Sequence, residues 1–304
     1  MNDIIDKIVD DTFHSNISQV EKIDGLGEVN EVYKVTVGFS DYIIRLQRGI
    51  HAITEYKKEA WCMKQAQKHQ MYVPSVISIN VCGNYTFMVE EFIHGINGSY
   101  YPDKLLVWQR LGEAARKLNE IPVKGFGCDL SNEDNGTFTD HFSSTLEKQI
   151  QYNLSQLTND DLFITLNIYE RERQPALIML FLRLIGLQYQ PCLCHGDLSP
   201  YNLIIDKDDH AYLIDFGCAK VHMPHYNLIT VGEHSPAEFN AFLCGYGLTK
   251  ETFKNMELEY VLLSLLHHFD TLRWAIYHLI QENWEPYIIQ ARNAAQIMFN
   301  SLSQ

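Results

Sequence analysis

The chain has 304 residues, 46% of them apolar, and a formal net charge of −14. That length allows one large domain or two smaller ones, and that apolar content excludes a disordered chain. The acidic balance argues against nucleic acid as a partner, because phosphate binding needs a basic face; it is compatible with a cationic ligand.

The first residues, "MNDIIDKIVDD", are acidic and lack the basic segment of a signal peptide. Residues 3 to 13 read as a short amphipathic helix. From 19 to 48 β-branched, aromatic and polar residues alternate as in strands, with breaks at Gly25-Leu26-Gly27 and at Gly38. Residues 52 to 70 are good helix formers without Gly or Pro, and Pro74 follows. Two strands then fit, near 75–81 and 85–92, joined at Gly83-Asn84, and "HGING" closes the region. Beyond it the chain turns helical: 103–119 carries Leu105, Leu106, Trp108, Leu111, Ala115 and Leu118 near helical period. Residues 140–157 and 175–189 also read as helices, and 124–138, "KGFGCDLSNEDNGTF", reads as loop. Two short strands, 202–205 and 211–214, flank the turn "DKDDH", and 235–302 returns to helices. The most apolar stretch, "LIMLFLRLIGL", is interrupted by Arg183 and too short to span a bilayer, which needs ~20 residues. Seven cysteines without paired spacings point to free thiols in a reducing cytoplasm. The layout is α+β: a small β-rich lobe over 1–94, a large α-rich lobe over 95–304, and a cleft between them.

Residues 195–217 read "HGDLSPYNLIIDKDDHAYLIDFG". A hairpin turning at "DKDDH" brings its strand ends together, so that Asn202 and Asp215 lie side by side. An amide carbonyl and a carboxylate are hard oxygen ligands that suit Mg²⁺. Asp197 stands on the loop entering the hairpin, where it can face the metal without binding it and accept the proton of a hydroxyl attacking a phosphate. A lone HGD or DFG is usually a turn; both in order, with an asparagine between and apolar runs beside them, point to phosphoryl transfer. The loop Gly25-x-Gly27-x-x-Asn30 precedes "EVYKVTV", a strand rather than a helix, which rejects the dinucleotide fingerprint and favours a β-hairpin lid over phosphates.

These motifs resemble the catalytic and metal-binding loops of the aminoglycoside phosphotransferase family, which shares the protein-kinase-like bilobal fold with choline, homoserine and fructosamine kinases. "GLGEVNEVYKV" resembles the family's nucleotide loop, "YIIRL" its third strand, "YKKEAW" its first long helix and "FMVEEFIHG" its interlobe linker; "GFG" at 125–127 also recurs there. The resemblance implies an ATP- or GTP-dependent kinase. Asp197 would be the base, Asn202 and Asp215 the Mg²⁺ ligands, and His195 a structural residue bonding backbone. Arg45 would clamp the α- and β-phosphates, paired with Glu59 or, one turn earlier, Glu55; the alternative for that helix is a solvated face carrying Lys57 and Lys58. The Glu91 carbonyl and Ile93 amide would read the adenine. Family members usually have Asp where Asn227 stands.

The acceptor implied is a small hydroxyl compound, cationic and aminoglycoside-like, with the metabolite kinases as the alternative. Glu233, Glu238, Asp270 and Glu282 are candidate acids for its amino groups, and Trp274 and Trp284 candidate walls. A protein kinase is disfavoured because "HSPAEF" at 234–239 is no A-P-E segment; intact Asp197, Asn202 and Asp215 disfavour a non-catalytic module. Cys192 and Cys194 fit one buried strand face better than a metal site, and His267, His268 and Asp270 a solvated or hydrogen-bonded helix face.

Overall fold

A computed structural model describes residues 2–23, 31–139, 145–159, 162–185, 189–229, 231 and 235–301. The chain opens with α1 (Asn2–Phe13), followed by β1 (Ile17–Ile23), β2 (Glu31–Val37) and β3 (Ser40–Arg48). Helix α2 (Ala52–Lys68) leads to β4 (Val76–Cys82) and β5 (Tyr85–Glu91). The five strands form one antiparallel sheet in the order β1-β2-β3-β5-β4. Tyr33, Val35 and Val37 alternate along β2 onto one face, where they meet Ile44, Leu46, Phe87 and Val89 and the Ile5, Ile8 and Val9 stripe of α1. Each such fully buried side chain contributes roughly 1.5–3 kcal/mol. Helix α2 packs on β4 and β5. Its Trp61, Cys62, Met63 and Ala66 join a core shared with the helical half, so α2 touches both parts of the molecule.

Residues 95–97, expected only to end the first region, form β6 (Gly95–Asn97). This strand has a partner far along the chain, which local reading cannot supply. The helical half then begins with α3 (Lys104–Asn119), capped by Asp103, whose carboxylate accepts from the Leu106 amide at 3.0 Å. The segment expected as loop, 124–138, carries β7 (Lys124–Gly125), β8 (Asp129–Asn132) and β9 (Thr137–Thr139), a sheet in the order β7-β9-β8. Strands of two to four residues are too short to show alternation. Of the helix expected over 140–157, residues 140–144 lie outside the described residues, and α4 (Leu146–Asn159) follows a Thr145 hydroxyl that accepts from the Lys148 amide. After α5 (Leu162–Thr165), α6 (Gln174–Leu184) stops short of 189 because Ile185 already has extended backbone.

Strand β10 (Cys192–Cys194) precedes the hairpin of β11 (Leu203–Asp206) and β12 (Ala211–Leu213), and β13 (Lys220–His222) returns to pair with β10. Strand β6 lies on the other edge of β11, giving the order β12-β11-β6. The segment leaving the N-terminal sheet is thus zipped onto the hairpin that carries the polar motifs. The remaining helices are α7 (Tyr226–Ile229), α8 (Pro236–Tyr246), α9 (Lys250–Lys254), α10 (Glu257–His278) and α11 (Glu285–Ser301). Trp108, Leu111 and Leu118 of α3 share a core with Phe242, Leu243 and Tyr246 of α8. A second core gathers residues of α4, α6, α10 and α11 around Phe269. All seven cysteines stand outside disulfides. Among the described residues, no helix is long and apolar enough to cross a membrane.

Candidate active site

The hairpin places the polar motifs. A 3₁₀ turn over Pro200–Asn202 delivers the chain into β11, and Leu203 pairs with Leu213 of β12. The ladder continues one step outward, where the Ile214 amide donates to the Asn202 carbonyl at 3.0 Å. Asn202 therefore lies beside the residue that precedes Asp215. Its side-chain Nδ2 donates to the Asp197 carbonyl at 2.8 Å and to Asp197 Oδ2 at 2.9 Å. Both bonds use the nitrogen end of the amide and leave Oδ1 turned the other way. Asn202 is buried, while Asp197 is exposed to solvent.

Asp215 sits at φ 59°, in the left-handed region. An aspartate tolerates this conformation because its short side chain bonds locally; here Oδ1 accepts from the Gly217 amide at 3.4 Å and opens a 3₁₀ turn over Phe216–Cys218. Half of the Asp215 side chain remains accessible. Gly196 has φ 82°, and a Cβ there would run into the Cys218 carbonyl, so only glycine lets the HGD loop lie against the DFG turn.

His195 is wholly buried. Its Nε2 bonds the Ile214 carbonyl at 3.0 Å, its backbone N–H donates to Asn227 Oδ1 at 3.1 Å, and its ring lies edge-on to Phe216. Burial pushes its pKa down, so the ring is neutral and Nε2–H is the donor. Asn227, also buried, donates in turn to Asn119 Oδ1 at 3.4 Å. A neutral amide thus anchors the loop without burying a charge.

Arg45 of β3 is the hub on the sheet side. Its Nη1 lies 2.6 Å from Glu59 Oε2 and 3.6 Å from Glu90 Oε1, and its Nη2 lies 3.2 Å from Asp215 Oδ1. Glu55 reaches Gln47 instead, at 3.5 Å. Burial opposes the Arg45 charge, but the three carboxylates outweigh it and raise its pKa. Sequence reading missed Glu90. The register shows why it belongs here: Arg45 is opposite Met88, so Glu90, two residues on, is its diagonal neighbour on the same face. An acid inside the buried run "FMVE" was the available signal, since a buried carboxylate needs a cation.

Burial pushes Glu90 up to about 7, against the pull of Arg45. An acid raised from its ordinary 4.5 stabilises the fold fully below that value, and the contribution is lost as pH rises through about 7. At 1.36 kcal/mol per pH unit the loss is on the order of 3 kcal/mol. Glu90→Gln cannot titrate, so its melting temperature relative to wild type should climb between pH 5 and 8. Parallel melting curves across that range would remove Glu90 as the titrating group.

Lys58 departs from the solvated-face reading of α2. Lys57 is exposed, but Lys58 is buried and donates to the Gly217 carbonyl at 2.6 Å. Glu91 ends β5 with its carboxylate accepting from the Ser75 amide at 3.3 Å, and Ile93 is buried in the segment leading to β6. Gly25, Gly27 and Asn30 lie outside the described residues.

The weaker candidates separate cleanly. Cys192 and Cys194 are buried on one face of β10. His267 Nδ1 shares a hydrogen bond with the Tyr226 hydroxyl at 2.9 Å, and burial lowers its pKa to about 3. Asp270 takes Gln149 Nε2 at 2.6 Å, Asn153 Nδ2 at 3.0 Å and Arg273 at 3.2 Å, which occupies both its oxygens. Glu238 closes a capping box with Ser235, Glu282 is exposed on a 3₁₀ turn, and Glu233 lies outside the described residues. Trp274 is partly exposed, and Trp284 donates to the Leu279 carbonyl. Among the described residues, one group has metal-ligand spacing, Asp206, Asp208 and His210. Its bonds make the hairpin turn: Asp206 accepts from the Asp208 and His210 amides.

An antiparallel sheet with one long helix, joined to a helical half that carries the polar hairpin, defines a protein-kinase-like bilobal fold. The chain belongs to the phosphotransferase enzyme family, whose sequence model matches residues 21–253. No curated protein sequence matches the chain. Among solved structures it is similar to aminoglycoside phosphotransferase APH(4)-Ia, with a TM-score of 0.72, 14% identity and 99% of each chain covered. It is similar to spectinomycin phosphotransferase APH(9)-Ia bound to ADP and spectinomycin, with a TM-score of 0.63, 15% identity and coverage of 97% of this chain and 96% of that one. APH(2")-IIIa with GDP and kanamycin aligns at a TM-score of 0.68 and 17% identity, covering 98% and 97%.

Proposed function

We propose that this protein transfers the γ-phosphate of ATP or GTP to a hydroxyl of a small cationic acceptor of the aminoglycoside kind. One observation carries the reading: the Asn202 amide grips the Asp197 carboxylate while lying beside the Asp215 strand end. In this reading the exposed Asp197 carboxylate, oriented through Oδ2, takes the hydroxyl proton as the acceptor attacks. The oxygen of the Asn202 amide, left free of its two donor bonds, and the half-exposed Asp215 carboxylate would hold Mg²⁺. Bound there, the ion would neutralise charge on the transferring phosphate. Arg45, paired with Glu59 and Glu90 and bonded to Asp215, would grip phosphate oxygens. Gly25, Gly27 and Asn30 would cover the phosphates, and the Glu91 carbonyl and Ile93 amide would read the base. Neighbouring structures hold ADP or GDP with spectinomycin or kanamycin, which supports both substrate classes.

The cationic preference rests on the net charge of −14 and on those neighbours. Asp270, already occupied by three donors, does not add to it. A nucleotide-consumption screen across aminoglycosides, choline, homoserine and related alcohols tests the reading. The best acceptor should be cationic, and its kcat/KM should fall as salt rises, because salt screens the attraction. A neutral best acceptor with no salt effect would discard the charge preference and keep the kinase reading; no consumption with any alcohol would discard the kinase reading itself.

A further inference from the structure

Helix α2 holds the DFG turn with a side chain that no phosphate or metal needs to touch. Glu59 and Lys58, adjacent in sequence, reach in two directions. Glu59 meets Arg45 of the sheet at 2.6 Å, and Lys58 meets the Gly217 carbonyl at 2.6 Å. Arg45 then reaches Asp215, two residues before Gly217, at 3.2 Å. The contacts close a ring: Arg45 to Glu59, along the helix to Lys58, across to Gly217, back along the turn to Asp215, and again to Arg45. Asp215 sits in this ring at φ 59°, and from within the turn its side chain is held by a 3.4 Å bond to the Gly217 amide, beside the Ala219 amide's 3.0 Å bond to the Phe216 carbonyl. The Lys58 bond grips the same peptide unit's neighbour from outside. An ammonium on a carbonyl is a charge-assisted bond, and the buried stem limits its freedom to let go.

We propose that Lys58 is a positioning residue for the metal site: by fixing Gly217 it holds the Asp215 carboxylate in the orientation that receives Mg²⁺, so that metal binding and the seating of α2 are coupled. The proposal rests on the reading of Asp215 as a metal ligand and adds a second residue through which that ligand acts. It separates two roles on one helix, with Glu59 setting the phosphate-side arginine and Lys58 setting the metal side.

The test is calorimetric titration of AMP-PNP into Lys58→Met, with Mg²⁺ and with EDTA, beside melting curves and an Asp215→Asn control. Lys58→Met should bind metal-free nucleotide like wild type and lose roughly tenfold to a hundredfold of the affinity gained from Mg²⁺, the range of one charge-assisted hydrogen bond. Lys58→Arg, which keeps charged donors, should recover most of that gain. If Lys58→Met does not fold, Lys58→Gln, which keeps a neutral N–H donor, should show an intermediate loss of the Mg²⁺ gain. An unchanged Mg²⁺ gain in the folded variants overturns the proposal, and so does an equal loss with and without the metal, which marks Lys58 as packing alone. If Asp215→Asn keeps the whole Mg²⁺ gain, the metal reading fails and takes this proposal with it. If only the Asp215 variant loses the gain, the metal reading stands and Lys58 has no part in it.

Discussion

Asp197→Ala should slow phosphoryl transfer by ~10²–10⁴-fold, the usual worth of a positioned general base, and leave Mg²⁺-nucleotide affinity nearly unchanged. The split follows from the contacts. The Asp197 carboxylate is exposed, and the Asn202 amide is among its partners, at 2.9 Å. Truncation removes that bond, but the same nitrogen still donates to the Asp197 carbonyl at 2.8 Å, which the variant retains. The proposed metal-binding amide therefore keeps one anchor. Neither Arg45 nor Asp215 lies in the path of the change, since Arg45 is tied to Glu59 and Glu90 on the sheet side. Single-turnover rates with the acceptor, beside nucleotide titration, give both numbers. Turnover within a few-fold of wild type would take the base role from Asp197.

How much of this site was legible depended on where each residue's partner sits in the chain. The HGD and DFG motifs lie within 23 residues of each other, on one local hairpin, and a local hairpin is what alternation and turn chemistry reveal. The buried cysteines of β10 were equally readable, because alternation places both on one face. Its pairing partner β13 was not, for three residues after a turn show no period. The small sheet of β7, β8 and β9 escaped for the same reason. Glu90 and Lys58 escaped differently. Each is a charged residue whose burial is set by a distant partner: Arg45 across the sheet, and Gly217 in the other half of the molecule. Within its own helix, Lys58 looks like any solvated lysine. Asp270 shows the converse case. The hydrogen-bonded helix face expected for it is what Gln149 and Asn153 of α4 and Arg273 of its own helix make.

Asp215 should behave unlike Asp197. Asp215→Ala should weaken Mg²⁺-nucleotide binding and turnover together, because the lost group is a charged ligand for the ion rather than a base beside it. Losing an outer-shell partner of a metal site typically costs ~10–100-fold in affinity, and a direct ligand should cost at least as much. Alanine also carries a second effect that must be separated. At φ 59° a residue without a side-chain acceptor gives up the local bond to the Gly217 amide and faces a left-handed penalty of about 1–2 kcal/mol. Asn tolerates that conformation and keeps an oxygen for the amide, so Asp215→Asn isolates the charge. Both variants also relieve Arg45 of one of its three carboxylates, which leaves its pairs with Glu59 and Glu90 in place. The expected pattern is a large loss of Mg²⁺-dependent affinity in both variants, with a lower melting temperature in the alanine variant only. Titration of Mg²⁺-AMP-PNP and thermal melting read the two effects separately. Wild-type affinity with wild-type metal dependence in Asp215→Asn would move the metal away from the DFG turn, while a drop in melting temperature without a drop in affinity would reduce Asp215 to a turn-former.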